Sequence, residues 1–245
     1  MKFELFIIGD EILSGRRQDK HFAAIQARLL QRGHQLHGVC YLPDEPSRLE
    51  AAFRAQRSRA LPLISCGGIG ATPDDHTRAA LAQALDRPLV RHAAAAQLIE
   101  TQFGDAAYPH RIHMADFPSG ASLIPNPVNH VAGCRYEQTH LLPGFPEMAW
   151  PMCEWLLEQY YPAVAADICH SLIAVDAREG ELIDLMQTLV RRWPTVRFSS
   201  LPSYGNARHP TPHIDFSVSG QAPDVDEAFG FLSQALRQRG LTLIL

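Results

Sequence analysis

The chain has 245 residues, of which 46% are hydrophobic and 20% charged, with a formal net charge of −4. That balance is the composition of an ordinary globular protein and carries no basic excess for nucleic acid, so no specific nucleic-acid partner is expected. No apolar run approaches the roughly 20 residues a membrane span needs, and the opening MKFELFIIGDE turns acidic too early for a signal peptide, which makes the cytoplasm the expected location and excludes a membrane partner.

Residues 2 to 8, KFELFII, read as a mostly apolar strand, and GDEILSG follows as a glycine-bounded loop. Between Lys20 and Arg32 the apolar residues Phe22, Ile25, Leu29 and Leu30 recur at helical spacing, and Gly33 suits a C-terminal cap. HQLHGVCYL reads as a second strand, after which Asp44 or Ser47 can cap a helix running to about residue 58. LPLISC is the third strand, and CGGIGATPDD leads from it into a further helix. Alternation of this kind implies crossover units and a parallel sheet with helices on both faces.

A helix is expected near residues 93 to 103, then ASLIPNPVNHVAG as a short strand and loop, then THLLPGFPEMAWPMCEWLLEQY as strand, turn and helix. The pattern changes near residue 163. From there the segments DICHSLIAVDA, GELIDLMQTLVRRW, VRFSSLPSYG, HIDFSVSG, VDEAFGFLSQALRQRG and LTLIL spell strand, helix, strand, strand, helix, strand, the split ferredoxin-like unit. The fold class expected is therefore α/β: a doubly wound, mainly parallel sheet over residues 1–162, then a small α+β ferredoxin-like domain over 163–245. PSYGNARHPTPH reads as a hairpin loop. The five cysteines form no CxxC pair and read as buried free thiols, and the scattered histidines, including His209 and His213, read as surface residues.

The stretch that asks for a function is CGGIGATPDD, residues 66 to 75. Gly67, Gly68 and Gly70 open backbone angles closed to other residues and leave amide hydrogens free to meet a phosphate. Thr72 suits a helix N-cap, Pro73 the first helical position and Asp75 the third, so the same residues also read as an ordinary helix start. Two adjacent carboxylates, Asp74 and Asp75, would repel a phosphate unless a divalent cation lies between them. In a sheet of flavodoxin-like order, ligands bind where the strand order reverses, beyond the first and third strands. That rule sets Asp10, Glu11, Ser14 and Gly15 opposite Asp74 and Asp75. Asp19 stands just before a helix and suits its cap.

Taken together, IGDEILSGRRQDKHFAAIQARLLQRG, CGGIGATPDDHTRAALAQAL, IPNP and LLPGFPEM resemble the molybdopterin-binding domain shared by molybdenum-cofactor biosynthesis proteins of MoaB/Mog type and the N-terminal part of CinA, the competence/damage-inducible protein. The resemblance covers residues 1 to about 160; the remainder is similar to the small KH-like middle domain of CinA, and no stretch resembles its C-terminal amidohydrolase domain. It implies two chemistries: metal-assisted hydrolysis of FAD or ADP-ribose with release of AMP, or adenylylation of molybdopterin. It also implies a divalent cation (magnesium, manganese or cobalt), a small nucleotide or pterin ligand, and a homo-oligomer.

By the same resemblance the functional aspartate falls on Asp75. Its neighbour Asp74 is acidic where many adenylyltransferases carry a basic residue, which favours hydrolysis. The expected roles are catalysis by Asp75, Asp74 and Glu11, metal binding by Asp10, Asp74 and Asp75, and phosphate or ligand contacts from Gly9, Ser14, Gly15, Asp19, Gly67, Gly68, Gly70, Thr72, Thr77 and Asn126. Departures from the family pattern fall at Asp10, at Ala71, at Asn129, and at Val131, Ala132 and Gly133.

Overall fold

Phe3, Leu5 and Ile7 point to one side of the first strand and Phe6 and Ile8 to the other, and all five are buried because helices cover both faces. This continuous apolar run is what a strand inside a parallel sheet requires. The computed structural model describes residues 1–245, which divide into two compact units, Met1–Ala166 and Asp167–Leu245. The division falls slightly beyond the expected residue 162.

In the first unit the chain runs β1 (Lys2–Ile8), α1 (Asp10–Leu13), α2 (His21–Gln31), β2 (Gln35–Leu42), α3 (Pro46–Arg57), β3 (Leu63–Cys66) and α4 (Thr77–Ala84). There follow β4 (Leu89–Arg91), α5 (Ala93–Phe103), β5 (Asp116–Pro118), β6 (Ser122–Ile124), β7 (Gly133–Tyr136), β8 (Thr139–Leu142) and α6 (Pro146–Tyr160). The main sheet has the order β2-β1-β3-β8-β7-β6, with β2, β1, β3 and β8 parallel and β7 and β6 antiparallel at one edge. Helices α2 and α6 pack on one face; α3, α4 and α5 pack on the other. β4 and β5 form a separate small ribbon. The stretch GDEILSG, expected as a loop, instead winds into the single turn α1, where Ser14 N donates to Asp10 O at 2.9 Å.

One polar side chain sits in the middle of this core. His140, fully buried on β8, donates through Nδ1 to Leu63 O at 2.7 Å, which leaves Nε2 to accept the Tyr161 hydroxyl at 3.2 Å. Both ring nitrogens are thereby used in the neutral form, and burial pulls the imidazole pKa down to about 4. In the unfolded chain the same group titrates at its ordinary value of 6.5, so unfolding takes up a proton anywhere between these values. Stability from this residue is complete above pH 6.5 and is lost as pH falls toward 4, by about 3 kcal/mol in all. Urea titrations at pH 7 and pH 4 should therefore show a smaller pH effect in His140→Gln than in wild type. Equal pH effects would contradict this reading. The other depressed histidine, His34, is common to both proteins and cancels in the comparison.

The second unit contains β9 (Ile168–Val175), α7 (Ile183–Arg192), β10 (Arg197–Ser203), β11 (His213–Gly220), α8 (Ala222–Gln238) and β12 (Thr242–Ile244). Its sheet has the order β10-β11-β9-β12, antiparallel throughout, as the ferredoxin-like pattern requires. Leu172, Ala174, Ile214, Phe216 and Val218 of the sheet meet Leu185 and Leu189 of α7 and Val225, Leu232 and Leu236 of α8 in one apolar core. His213, expected at the surface, is buried at the start of β11. All cysteines are free thiols; Cys66, Cys134 and Cys153 are buried as expected, whereas Cys169 is exposed. No helix is long and apolar enough to cross a membrane.

Candidate functional site

β1 lies between β2 and β3, so the chain leaves β1 and β3 side by side and a crevice opens beyond their carboxyl ends. A cleft of about 660 Å³ fills this place, within the usual range for small-molecule sites. Its wall is made by Gly9 and Glu11 after β1, Arg16 and Arg17 after α1, Asp44 after β2, and residues 67–72 with Asp74 and Asp75 after β3. Met114, Asn126, Asn129, Val131, Phe145 and Met148 complete it.

The glycine loop is held from behind. Thr77, fully buried, donates its hydroxyl to Gly67 O at 3.0 Å and its amide to Gly68 O at 3.0 Å. Arg78, also buried, donates to Ile69 O at 2.9 Å and Gly70 O at 2.6 Å. Burial draws the Arg78 pKa down, opposed by the nearby Asp75 charge. With these carbonyls turned inward, the amides of Gly68, Ile69 and Ala71 find no acceptor in the protein. Two of the amides expected to bind phosphate are already used: Gly67 N donates to Leu142 O at 3.0 Å and Gly70 N to Asp75 Oδ1 at 2.7 Å. Gly68, in the left-handed region at φ 66°, has no room for a side chain, since a Cβ would stand 2.1 Å from Thr77 Oγ1.

Two expectations about this stretch are corrected. Thr72 does not cap a helix: residues 72–75 form a turn, with Asp75 N bonded to Thr72 O at 3.0 Å, and α4 begins only at Thr77. Asp75 is not a free carboxylate at the third helical position. Its Oδ1 accepts Gly70 N, and its Oδ2 accepts both Thr72 N at 2.8 Å and Thr72 Oγ1 at 2.6 Å. Asp74 is exposed and free of such ties to the glycines; Thr72 and its own backbone amide hold its carboxyl below the ordinary range. Thr72 thus stands by both aspartates, with its single hydroxyl proton directed at Asp75.

Across the crevice, Asp10 and Asp44 exchange hydrogen bonds. Asp10 N donates to Asp44 Oδ2 at 3.0 Å and Asp44 N to Asp10 Oδ1 at 3.3 Å. Asp10 therefore braces the loop and stands outside the cleft wall, while Asp44, which sequence reasoning took for a helix cap, faces the ligand space. Burial raises the Asp44 pKa, and the charges of Asp10, Glu11 and Asp74 raise it further. No group of three or more His, Cys, Asp or Glu side chains is gathered closely enough to cage a metal ion by itself. Asp10, Asp74 and Asp75 together thus do not form the expected metal set.

The remaining expected ligand residues divide. Ser14 and Gly15 are exposed and outside the cleft wall. Asp19 is a cap: its carboxylate accepts His21 N at 2.7 Å, Phe22 N at 3.2 Å and the Tyr41 hydroxyl at 2.9 Å. Thr77 braces the loop from the core side. Asn126 lines the cleft but is occupied in shaping it, donating to Asn129 Oδ1 at 2.7 Å and Val131 O at 3.2 Å while accepting Val128 N at 3.0 Å. The departures Ala71, Asn129 and Val131 all lie in the cleft wall. Arg16 and Arg17 were not expected there, and neither guanidinium has an acceptor in the protein. A doubled arginine in GRRQD was the signal available in the sequence.

Comparisons with known proteins bear on the family and the fold. A protein of Pyrobaculum calidifontis is 28% identical over 244 residues, covering 96% of this chain and 92% of the relative. A CinA-like protein of Gloeobacter violaceus is 33% identical over 137 residues, which are 55% of this chain and 32% of the relative. Among solved structures, that of the protein CinA with unknown function from Thermoplasma acidophilum superposes with a TM-score of 0.60 at 27% identity, covering 65% of this chain and 98% of that one. The family model described as "Probable molybdopterin binding domain" matches residues 4–163. The chain belongs to the molybdopterin-binding domain family and is similar, within it, to CinA-type proteins.

Proposed function

We propose that the chain is a divalent-cation-dependent nucleotide pyrophosphatase that cleaves FAD or ADP-ribose and releases AMP. The observation that carries this reading is the division of charge in one nucleotide-sized cleft: the carboxylates of Glu11, Asp44 and Asp74 share its wall with the unpartnered guanidinia of Arg16 and Arg17 and the open amides of the glycine loop. The arginines and amides suit a pyrophosphate, and the carboxylates suit a cation bound with it. The donor set fits a hard cation, because magnesium-type ions keep several waters and take one or two carboxylates plus substrate oxygens.

In this reading Asp44 and Asp74 would hold a cation, directly or through water, and the cation would supply polarisation of the scissile phosphate. Arg16 and Arg17 offset the charge of the phosphates and orient them. Asp75 and Arg78 keep the glycine loop in shape so that the amides of Gly68, Ile69 and Ala71 point at the ligand. Glu11 or Asp74 positions the attacking water and takes its proton as the oxygen adds to phosphorus and the phosphoanhydride bond breaks. AMP leaves together with ribose 5-phosphate from ADP-ribose, or with flavin mononucleotide from FAD.

The description of the matched family supports a second reading, binding and adenylylation of molybdopterin with ATP as donor. Parallel incubations separate the two. Protein with ADP-ribose or FAD and magnesium, manganese or cobalt is predicted to give AMP on chromatography, and protein with ATP and molybdopterin is predicted to give no adenylylated pterin. The opposite pair of results would replace the first reading with the second.

A further inference from the structure

We propose that Phe145 is the platform on which the heteroaromatic ring of the ligand stacks, so that ring recognition at this residue decides which phosphorylated compounds the cleft accepts. The inference rests on the nucleotide-type ligand proposed above and adds to it a residue with no assigned role. Three observations carry it.

Phe145 lines the cleft and yet is 56% exposed, although it belongs to the most apolar residue types. It takes part in none of the ring pairs of the first unit, Phe3–His34, Phe3–Tyr161, Phe6–Phe53, His92–Phe117, His140–Tyr161 and Trp155–Tyr160. Its backbone, in contrast, is fixed. Phe145 O accepts Met148 N at 3.0 Å and Ala149 N at 2.9 Å, Pro146 follows as the first residue of α6, and the preceding Gly144 O is hydrogen-bonded by His21 Nε2 at 3.1 Å. An aromatic side chain held on a rigid strap at a cleft mouth loses little conformational freedom when it stacks.

The lining beside it has matching chemistry. Met114, Val131 and Met148 contribute apolar and polarisable groups to the same cleft. Asn129 Nδ2 donates to Met148 Sδ at 3.5 Å and Asn126 Nδ2 to Val131 O at 3.2 Å, which sets two polar groups beside them. Methionine sulfurs make favourable contacts with aromatic rings, so the cleft that Phe145 lines also holds side chains suited to a flat ring. The cleft thus offers an apolar wall for a ring as well as the charged wall for phosphates. A ligand with both parts uses both walls, and a bare pyrophosphate uses only one.

The test is equilibrium binding in the presence of chelator, so that no turnover interferes. ADP-ribose, FAD and ATP serve as ring-bearing probes and inorganic pyrophosphate as the ring-free one, each titrated against wild type, Phe145→Leu and Phe145→Trp. Because the side chain is exposed, neither substitution disturbs the core. Phe145→Leu should weaken the ring-bearing probes by roughly 10- to 100-fold and shift pyrophosphate by less than about 2-fold, with Phe145→Trp restoring affinity. Equal weakening of both kinds of probe, no weakening of either, or failure of every ring-bearing probe to bind wild type would overturn the inference. Tight, Phe145-dependent binding with no AMP formed once cation is supplied would overturn the hydrolase reading and leave this one standing.

Discussion

Gly67→Ala is expected to lower the melting temperature of the first unit by about 10 °C and to abolish ligand binding. Gly67 sits directly beyond β3 at φ 110°, in the left-handed region, and an added Cβ would lie 2.2 Å from Ile8 O, a backbone atom that cannot step aside. The strained backbone costs roughly 1–3 kcal/mol and overpacking a comparable amount, while each kcal/mol moves the melting temperature of a domain of this size by about 2–4 °C. Gly15→Ala is the control. Its φ is also positive, at 73°, but a Cβ there meets nothing within 4 Å, so only the backbone strain of about 1 kcal/mol applies. Differential scanning calorimetry of the two variants decides the matter, and equal losses would show that the contact with Ile8 is not what constrains the loop.

The second large effect concerns the paired aspartates, whose neighbouring positions conceal different work. Asp74→Asn removes a charge from the cleft wall without touching the glycine loop, and should reduce kcat for AMP release by about 10²-fold while leaving the melting temperature unchanged. Asp75→Asn should abolish activity for another reason. Asp75 accepts Gly70 N on one oxygen and Thr72 N and Oγ1 on the other, and an amide can present an oxygen to only one side, so its NH₂ would confront an N–H donor. That mismatch leaves a donor unsatisfied and should cost about 1–3 kcal/mol in stability. Melting curves beside the kinetics separate the two cases: an activity loss in Asp74→Asn with a matching loss of stability would contradict the division of roles.

What the sequence made legible was what periodicity and glycine spacing encode. KFELFII is apolar on both faces because β1 is covered on both, and GGIG marks a backbone that turns sharply at a crevice. The βαββαβ order of the second unit followed from segment types alone. TPDD misled because a cap followed by a proline and an acid looks the same whether a helix or a turn comes next; here the pull of Thr77 and Arg78 on the loop carbonyls delays the helix by several residues. Asp44 was hidden because its partner Asp10 lies 34 residues away, a pairing that only the sheet order creates. Arg78 braces the glycine loop from within the core, and Arg16 and Arg17 line the cleft, roles to which no sequence pattern pointed. No local pattern distinguishes such side chains before the fold brings them to one place. Phe145 lies within LLPGFPEM without any local signal of its own, and only its exposure within the cleft marks it.

Whether carboxylates and phosphate-binding groups in this cleft act together on a phosphoanhydride is decided by quantitation of AMP from ADP-ribose, using wild-type protein with and without added divalent cation, beside Asp74→Asn. Joint action should yield AMP and ribose 5-phosphate in equal amounts, formed only with the cation and strongly diminished in the variant. No AMP from the folded protein with any of magnesium, manganese or cobalt, or release that is indifferent to both chelation and Asp74, would contradict it.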